Sequence, residues 1–236
     1  FENQQQKIKE AERFIERFKA KATKAKQAQS KVKQLEKLDR IEAVVDENMQ
    51  VNFKFNFKTQ SGRHVKRLQD ISKSYGDLEI LEKVTLGLQR GDKVALIGAD
   101  GKGKSTVLRI IAGTEAHEGQ VETGHNVLMS FYAQHQLEAL NINNDLVEEL
   151  KQEGTGKNEQ ELRGILGCFL FSGDEVFKKI KVLSGGEKSR VALAKALISE
   201  ANFLLLDEPT NHLDMLSVGI LVQALQQYEG TFLVVS

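Results

Sequence analysis

The stretch GADGKGKS, Gly98 to Ser105, has the spacing G-x-x-x-x-G-K-S. Glycines so spaced let backbone N–H groups curl around phosphate oxygens, and a helix opening after them adds the positive end of its dipole. Here Lys104 is expected to reach the β- and γ-phosphates of a nucleotide, and the Ser105 hydroxyl to ligate Mg²⁺. FLLLDE, Phe203 to Glu208, is an apolar run that ends in two carboxylates. Asp207 would hold Mg²⁺ through water, and Glu208 would polarise an attacking water as general base. A third group, LSGG from Leu183 to Gly186, opens a helical pattern with Val191, Ala194, Leu197 and Ile198 on one face. Its hydroxyl and glycine N–H groups form a second phosphate grip, and a plain N-cap role for Ser184 fits the same residues.

These groups need an α/β frame to hold them. KVALIG is an apolar strand that delivers the chain to the glycine-rich loop, and VLRIIAG after it is helical and stops at Gly113. ANFLLLDE reads as a short strand buried deep in a parallel sheet, which sets its terminal acids at the sheet's carboxyl edge, where ligands bind in such folds. GTFLVVS begins another strand. Further strands are expected around His64–Ile71 and Ile80–Leu88. VNFKFNF alternates strictly and reads as a half-buried strand. A polar, mostly helical insert runs from about Gln134 to Lys181. There is no internal repeat.

Upstream of about residue 45 the texture changes. Phe1 to Ile41 lacks Gly and Pro. Ile8, Ala11, Phe14, Ile15 and Phe18 keep helical spacing, as do Val32, Leu35, Leu38 and Ile41. The stretch KAKATKAKQAQS between them has no large apolar residue. Two narrow apolar stripes separated by a polar tip predict a helical hairpin, with helices near 4–18 and 26–42; one continuous helix is the alternative. Around the tip, Arg17, Lys19, Lys21, Lys24 and Lys26 carry charge with no acid among them. Basic side chains on a protruding tip suit a phosphate backbone, although a run of charge is also an ordinary solvated face.

Bulk composition bounds the rest. The 236 residues are 40% hydrophobic, enough for a substantial core. The 33 basic and 33 acidic residues cancel, so any nucleic-acid signal has to be local. The one cysteine, Cys168, excludes an intrachain disulfide and fits a reducing, cytoplasmic setting; its apolar neighbours in GILGCFLF predict a buried, inert thiol. No apolar run approaches the eighteen or so residues of a membrane span, and no signal peptide is present. Phe1 falls within a helical pattern and the last residues open a strand, so the chain reads as a fragment.

Taken in order, GADGKGKST, YAQH, LSGGE and LLLDEPTNHLD resemble the motifs of an ATP-binding cassette (ABC) ATPase, over Lys66 to Ser236. The resemblance implies a P-loop nucleotide-binding domain of α/β class at 46–236, with a helical subdomain at about 135–198. It implies ATP and Mg²⁺ as ligands. Gly98, Asp100, Gly101, Gly103, Lys104, Ser105 and Thr106 match the phosphate loop, with Lys104 also catalytic. Tyr75 in SKSYGD matches the aromatic that stacks on adenine. Gln134 matches the glutamine that senses Mg²⁺ and the γ-phosphate. Ser184, Gly185 and Gly186 match the signature that closes on ATP held by a second cassette, and Asp214 matches the loop that couples the two sites. Asp100 stands where the family usually has Asn, which sets a carboxylate beside the phosphates, with Lys102 near enough to offset it. The switch histidine is expected just after VVS.

DEPTNHLD is similar to the ABC-F branch, whose members join two cassettes by a helical hairpin and carry no membrane domain. Residues 1–45 look like the end of that hairpin, with its basic tip near 19–26. The branch implies a second cassette of the same chain as partner, or a homodimer partner for this fragment. It also implies a ribosome and tRNA as targets of the tip, with Arg17, Lys19, Lys21, Lys24 and Lys26 contacting RNA. The leading expectation is therefore an ABC-F ATPase acting on the ribosome, as a translation factor or an antibiotic-resistance protection factor, with the fragment alone weakly active. A DNA-associated ABC-F ATPase and the ATPase subunit of a membrane transporter are the alternatives. The hairpin argues against the second, because transporter subunits lack it.

Overall fold

The computed structural model describes residues 55, 57, 59–133 and 139–236. The chain falls into two units, 1–49 and 50–236, and every described residue lies in the second. The expected hairpin, its basic tip and Gln134 lie outside the described residues.

In chain order the elements are β1 (His64–Tyr75), β2 (Leu78–Gln89), β3 (Lys93–Leu96), α1 (Lys104–Ala112), β4 (Glu118–Thr123), β5 (Met129–Tyr132), α2 (Leu146–Lys151), α3 (Glu159–Cys168), α4 (Gly185–Ile198), β6 (Phe203–Asp207), α5 (Met215–Gln227) and β7 (Thr231–Val235). Two 3₁₀ turns, Gly173–Phe177 and Ile180–Val182, lie between α3 and α4. The α/β class read from the motifs is present.

Two sheets result. One is antiparallel, in the order β2-β1-β4, and the other is parallel, in the order β3-β7-β6-β5. The parallel registers pair Leu96 with Val235, Asp207 with Val235, and Tyr132 with Leu206. The carboxyl ends of all four strands therefore gather at one edge, which positions the phosphate loop after β3 and the acid pair at the end of β6 together.

β6 is buried on both faces. Phe203 and Leu205 join a core with Leu68, Ile71, Leu108, Ile110, Ile111 and Leu233. Leu204 and Leu206 join a second core with Leu150, Leu166, Phe169, Val191, Leu193 and Leu197. An unbroken apolar run is what a strand covered on both sides requires. α1 turns its own apolar side, Val107, Leu108, Ile110 and Ile111, into the first core. It ends at Gly113, which takes the left-handed conformation at φ 77° with its N–H on the last-turn carbonyls.

Several expectations change. β1 and β2 extend past the expected 64–71 and 80–88, because the exposed residues of SKSYGDLE continue the ladder up to a tight turn at Gly76. Of VNFKFNF, only Phe55 and Phe57 are described, and both lie outside any strand. Their rings meet Tyr228 edge-on, at centroid distances of 5.2 and 5.3 Å, so these two residues of the alternating face pack on one aromatic partner. The insert is less helical than its composition implies, with short α2 and α3 joined through loops and 3₁₀ turns. Cys168, at the end of α3, is half-buried rather than fully buried, and burial raises its thiol pKa.

Candidate functional site

The phosphate loop runs from β3 to α1 over residues 97–103. Gly101 and Gly103 take positive φ, 74° and 82°. At Gly103 a side chain is doubly excluded: a Cβ would stand 2.7 Å from Ile80 Cγ2 on β2. That close approach seats the loop against the β1–β2 hairpin. The first bond of α1 runs from Val107 N to Gly103 O at 2.9 Å, so the amides of Lys104, Ser105 and Thr106 point out of the helix start, a ready anion site. The Thr106 side chain itself is buried.

Lys104 folds back over the loop. Its ammonium donates to the carbonyls of Gly98 and, at 3.3 Å, of Ala99, and lies 3.5 Å from Asp100 Oδ1. The Asp100 side chain is fully exposed, so its charge meets Lys104 from the water side. Lys104 is thus a cation that the fold sets beside Asp100.

Ser105 Oγ donates to Asp207 Oδ1 at 2.9 Å, joining residues 102 positions apart. A hydroxyl and a carboxylate make a hard-oxygen donor pair suited to Mg²⁺, which takes one or two protein ligands and completes its shell with phosphates and water. Among the described residues no cluster of three or more His, Cys, Asp or Glu could hold a metal by protein ligands alone. The residues present fit a nucleotide-bound Mg²⁺.

Directly after Asp207 the backbone reverses. Glu208 has φ 45°, a strained value for a non-glycine residue, and its N–H donates to Val235 O at 3.0 Å. Its carboxylate accepts from Asn211 Nδ2. Asn211 was not among the residues expected from the motifs, although its place three residues after the acid in a turn is a signal that could have found it. Asp214 accepts from Ser217 N at 2.8 Å and so caps α5.

Ser184 makes a reciprocal cap on α4: it accepts from Glu187 N at 3.3 Å, while Glu187 accepts from Ser184 N at 2.7 Å. The N-cap reading of Ser184 is therefore realised, and the start of α4 still presents its glycine amides. A Cβ on Gly186 would lie 3.1 Å from His212 O, so the segment after Glu208 passes directly over the signature. α4 is anchored along its length. Arg190 donates to Phe169 O at 3.3 Å and lies over the Phe171 ring, and Lys195 pairs at 2.7 Å with Glu149 of α2, which is fully buried.

Tyr75 ends β1, 45% exposed. Lys73 Nζ stands 4.7 Å from its ring centroid and pairs with Glu115 at 2.7 Å. The structure thus gathers Lys104, Ser105, Thr106, Asp207 and Glu208 at one sheet edge, sets the signature against the loop that follows Glu208, and holds the Tyr75 hairpin against the phosphate loop through Ile80.

Comparison with known proteins bears on the same segments. An ABC transporter family model matches residues 81–211, and a second ABC transporter model matches 1–53. YdiF of Bacillus subtilis is 44% identical over all of this chain and YheS of Escherichia coli K12 is 38% identical over all of it; both are named as ATP-binding proteins. ABC transporter F family member 5 of Arabidopsis thaliana is 35% identical over the whole chain. The chain spans 37%, 37% and 34% of these relatives' lengths. A solved structure of an ATP-binding subunit of an ABC transporter superposes with a TM-score of 0.62 at 25% identity, over 73% of this chain and 79% of that one. No helix among the described residues is long and apolar enough to cross a membrane. The ABC transporter family model covers more than half of the chain, so the chain belongs to the ATP-binding cassette family.

Proposed function

We propose that this chain is one of two cassettes of a cytoplasmic ABC-F translation factor, which binds and hydrolyses ATP to time its stay on the ribosome. The observation that carries the reading is the Ser105–Asp207 bond, because it ties the helix after the phosphate loop to the strand that ends in the acid pair. In this reading the amides of 104–106 and the Lys104 ammonium bind the phosphates, with Lys104 exchanging its loop carbonyls for phosphate oxygens. Ser105 and Asp207 would hold Mg²⁺, which when bound neutralises phosphate charge; Gln134 would complete that group. Glu208, oriented by Asn211, takes the proton from the attacking water as general base.

Ser184, Gly185 and Gly186 offer their helix start to ATP on the second cassette, and Asp214 sits in the loop between the two sites. Closure around nucleotide is a population shift, which hydrolysis reverses. The basic residues Arg17, Lys19, Lys21, Lys24 and Lys26 then reach ribosomal RNA or tRNA.

The test is sedimentation of the full-length protein with ribosomes, with Glu208 and its counterpart in the other cassette both changed to Gln. ATP-dependent co-sedimentation at moderate salt is expected. Its absence, in protein shown separately to bind ATP, would reject the ribosome and turn the search to DNA or a membrane partner.

A further inference from the structure

Tyr75 is the most exposed of the tyrosines and yet the most restrained on one side. Lys73 Nζ caps one face of its ring at 4.7 Å from the centroid. Lys73 is itself held by a 2.7 Å ion pair with Glu115 and donates to the Ala116 carbonyl at 2.7 Å. The Lys73 and Glu115 side chains are only 13% and 17% exposed, while Tyr75 is 45% exposed. The hydrogen bond from the Lys73 ammonium holds the Glu115 carboxyl below the usual carboxylate range.

Two elements therefore fix the cation over the ring. Lys73 and Tyr75 belong to β1, whereas Glu115 lies three residues beyond the end of α1, the helix that opens at the phosphate loop. The Lys73 ammonium takes one face, and the residue keeps 45% of its surface exposed for a ligand on the other. A cation on one face draws π density toward itself, which leaves the other face electron-poor and complementary to an electron-rich base.

We propose that Lys73 and Glu115 are positioning residues for the nucleotide base, locking Tyr75 so that its remaining face stacks on a purine ring. The proposal rests on the reading of Tyr75 as the base platform. It also gives the site its preference for a nucleotide over a bare polyphosphate: the loop takes the phosphates, and Tyr75 with Lys73 and Glu115 takes the base.

The test compares ADP with inorganic pyrophosphate, both with Mg²⁺, by titration calorimetry on the whole chain at 0.15 M salt. Neither ligand needs the hydrolytic step. Circular dichroism checks that each variant is folded. Lys73→Met and Glu115→Gln are each expected to weaken ADP binding about two- to fivefold and to leave pyrophosphate unchanged, with Lys73→Arg restoring ADP. Tyr75→Ala is expected to weaken ADP about tenfold, also without effect on pyrophosphate. An equal loss for both ligands in Lys73→Met overturns the proposal, since a purely structural or long-range charge effect does not distinguish a base. Tighter ADP binding in Lys73→Met overturns it as well, because Lys73 would then cover the face the base needs. If Tyr75→Ala alone weakens ADP, the positioning role is rejected and the base platform stands. If Tyr75→Ala changes nothing, the platform itself is wrong, and if wild type binds neither ligand, the nucleotide reading of the site fails.

Discussion

Removing the ammonium of Lys195 tests how α4 is held. Glu149 on α2 has no exposed surface, and its carboxylate accepts from Lys195 Nζ at 2.7 Å and Asn144 Nδ2 at 2.9 Å. Lys195 is less enclosed, 20% exposed, and has a second acid, Glu153, at 3.4 Å. The two halves of the pair are therefore unequal. Lys195→Met strands a buried charge on one neutral donor and is expected to cost about 3–5 kcal/mol, the range for breaking a buried pair from one side. Glu149→Gln leaves an ammonium that still has Glu153 and some water, so the cost should fall to about 1–3 kcal/mol. Replacing both by apolar residues removes the stranded charge and should recover most of the loss. The chain has no Trp, so urea unfolding is best followed by far-ultraviolet circular dichroism. In thermal melts the Lys195→Met loss corresponds to roughly 6–20 °C for a unit of this size. A Lys195→Met cost under about 1 kcal/mol, or a double variant no better than the single, would refute the claim that this pair ties α2 to the signature helix.

Three other outcomes are expected. Gly103→Ala sets a Cβ against Ile80 at a φ of 82°, so nucleotide binding should drop at least about tenfold, while the melting temperature falls by only a few degrees; unchanged binding would refute the seating of the loop on β2. Asp100→Asn removes the carboxylate beside Lys104 and should tighten ATP binding about two- to threefold, read by calorimetry; weaker binding would show that the carboxylate assists rather than opposes the phosphates. Burial raises the Tyr228 hydroxyl well above its ordinary value, and that hydroxyl donates to Ala201 O at 2.9 Å. A raised folded pKa contributes stability that is whole below the unfolded value of about 10 and declines as pH climbs past it. Tyr228→Phe should therefore cost about 1 kcal/mol at pH 8 and lose less between pH 8 and pH 11 than wild type; parallel pH curves would refute the assignment.

The sequence motifs pointed to the carboxyl edge of the parallel sheet because each chemical group there lies next to its own structural signal. Gly98–Ser105 follows an apolar strand, Asp207 ends one, and Ser184 opens a helix with a Glu three residues on. What stayed hidden was set by contacts between distant segments. Nothing near Glu149 announces Lys195, and nothing near Tyr75 announces Glu115, because each pairing exists only once the elements are packed. The Phe55 and Phe57 alternation was legible as burial but not as its cause, since Tyr228, the residue that receives both rings, is far along the chain. Extension of β1 past Ile71 escaped for the opposite reason: its last residues are exposed and carry no apolar pattern, while the backbone ladder continues to Tyr75.

β6 is covered on both sides, between β5 and β7, with its four apolar residues divided between two cores. Such a strand has no cheap way to loosen, and its amides should exchange with solvent only when the whole unit opens. Asp207 and Glu208 are mounted at the end of a strand braced on both edges and both faces. Any rearrangement that accompanies nucleotide binding must then be carried by the parts around them, the phosphate loop and the helices from α2 to α4, with the acid pair as the stationary datum against which the site aligns.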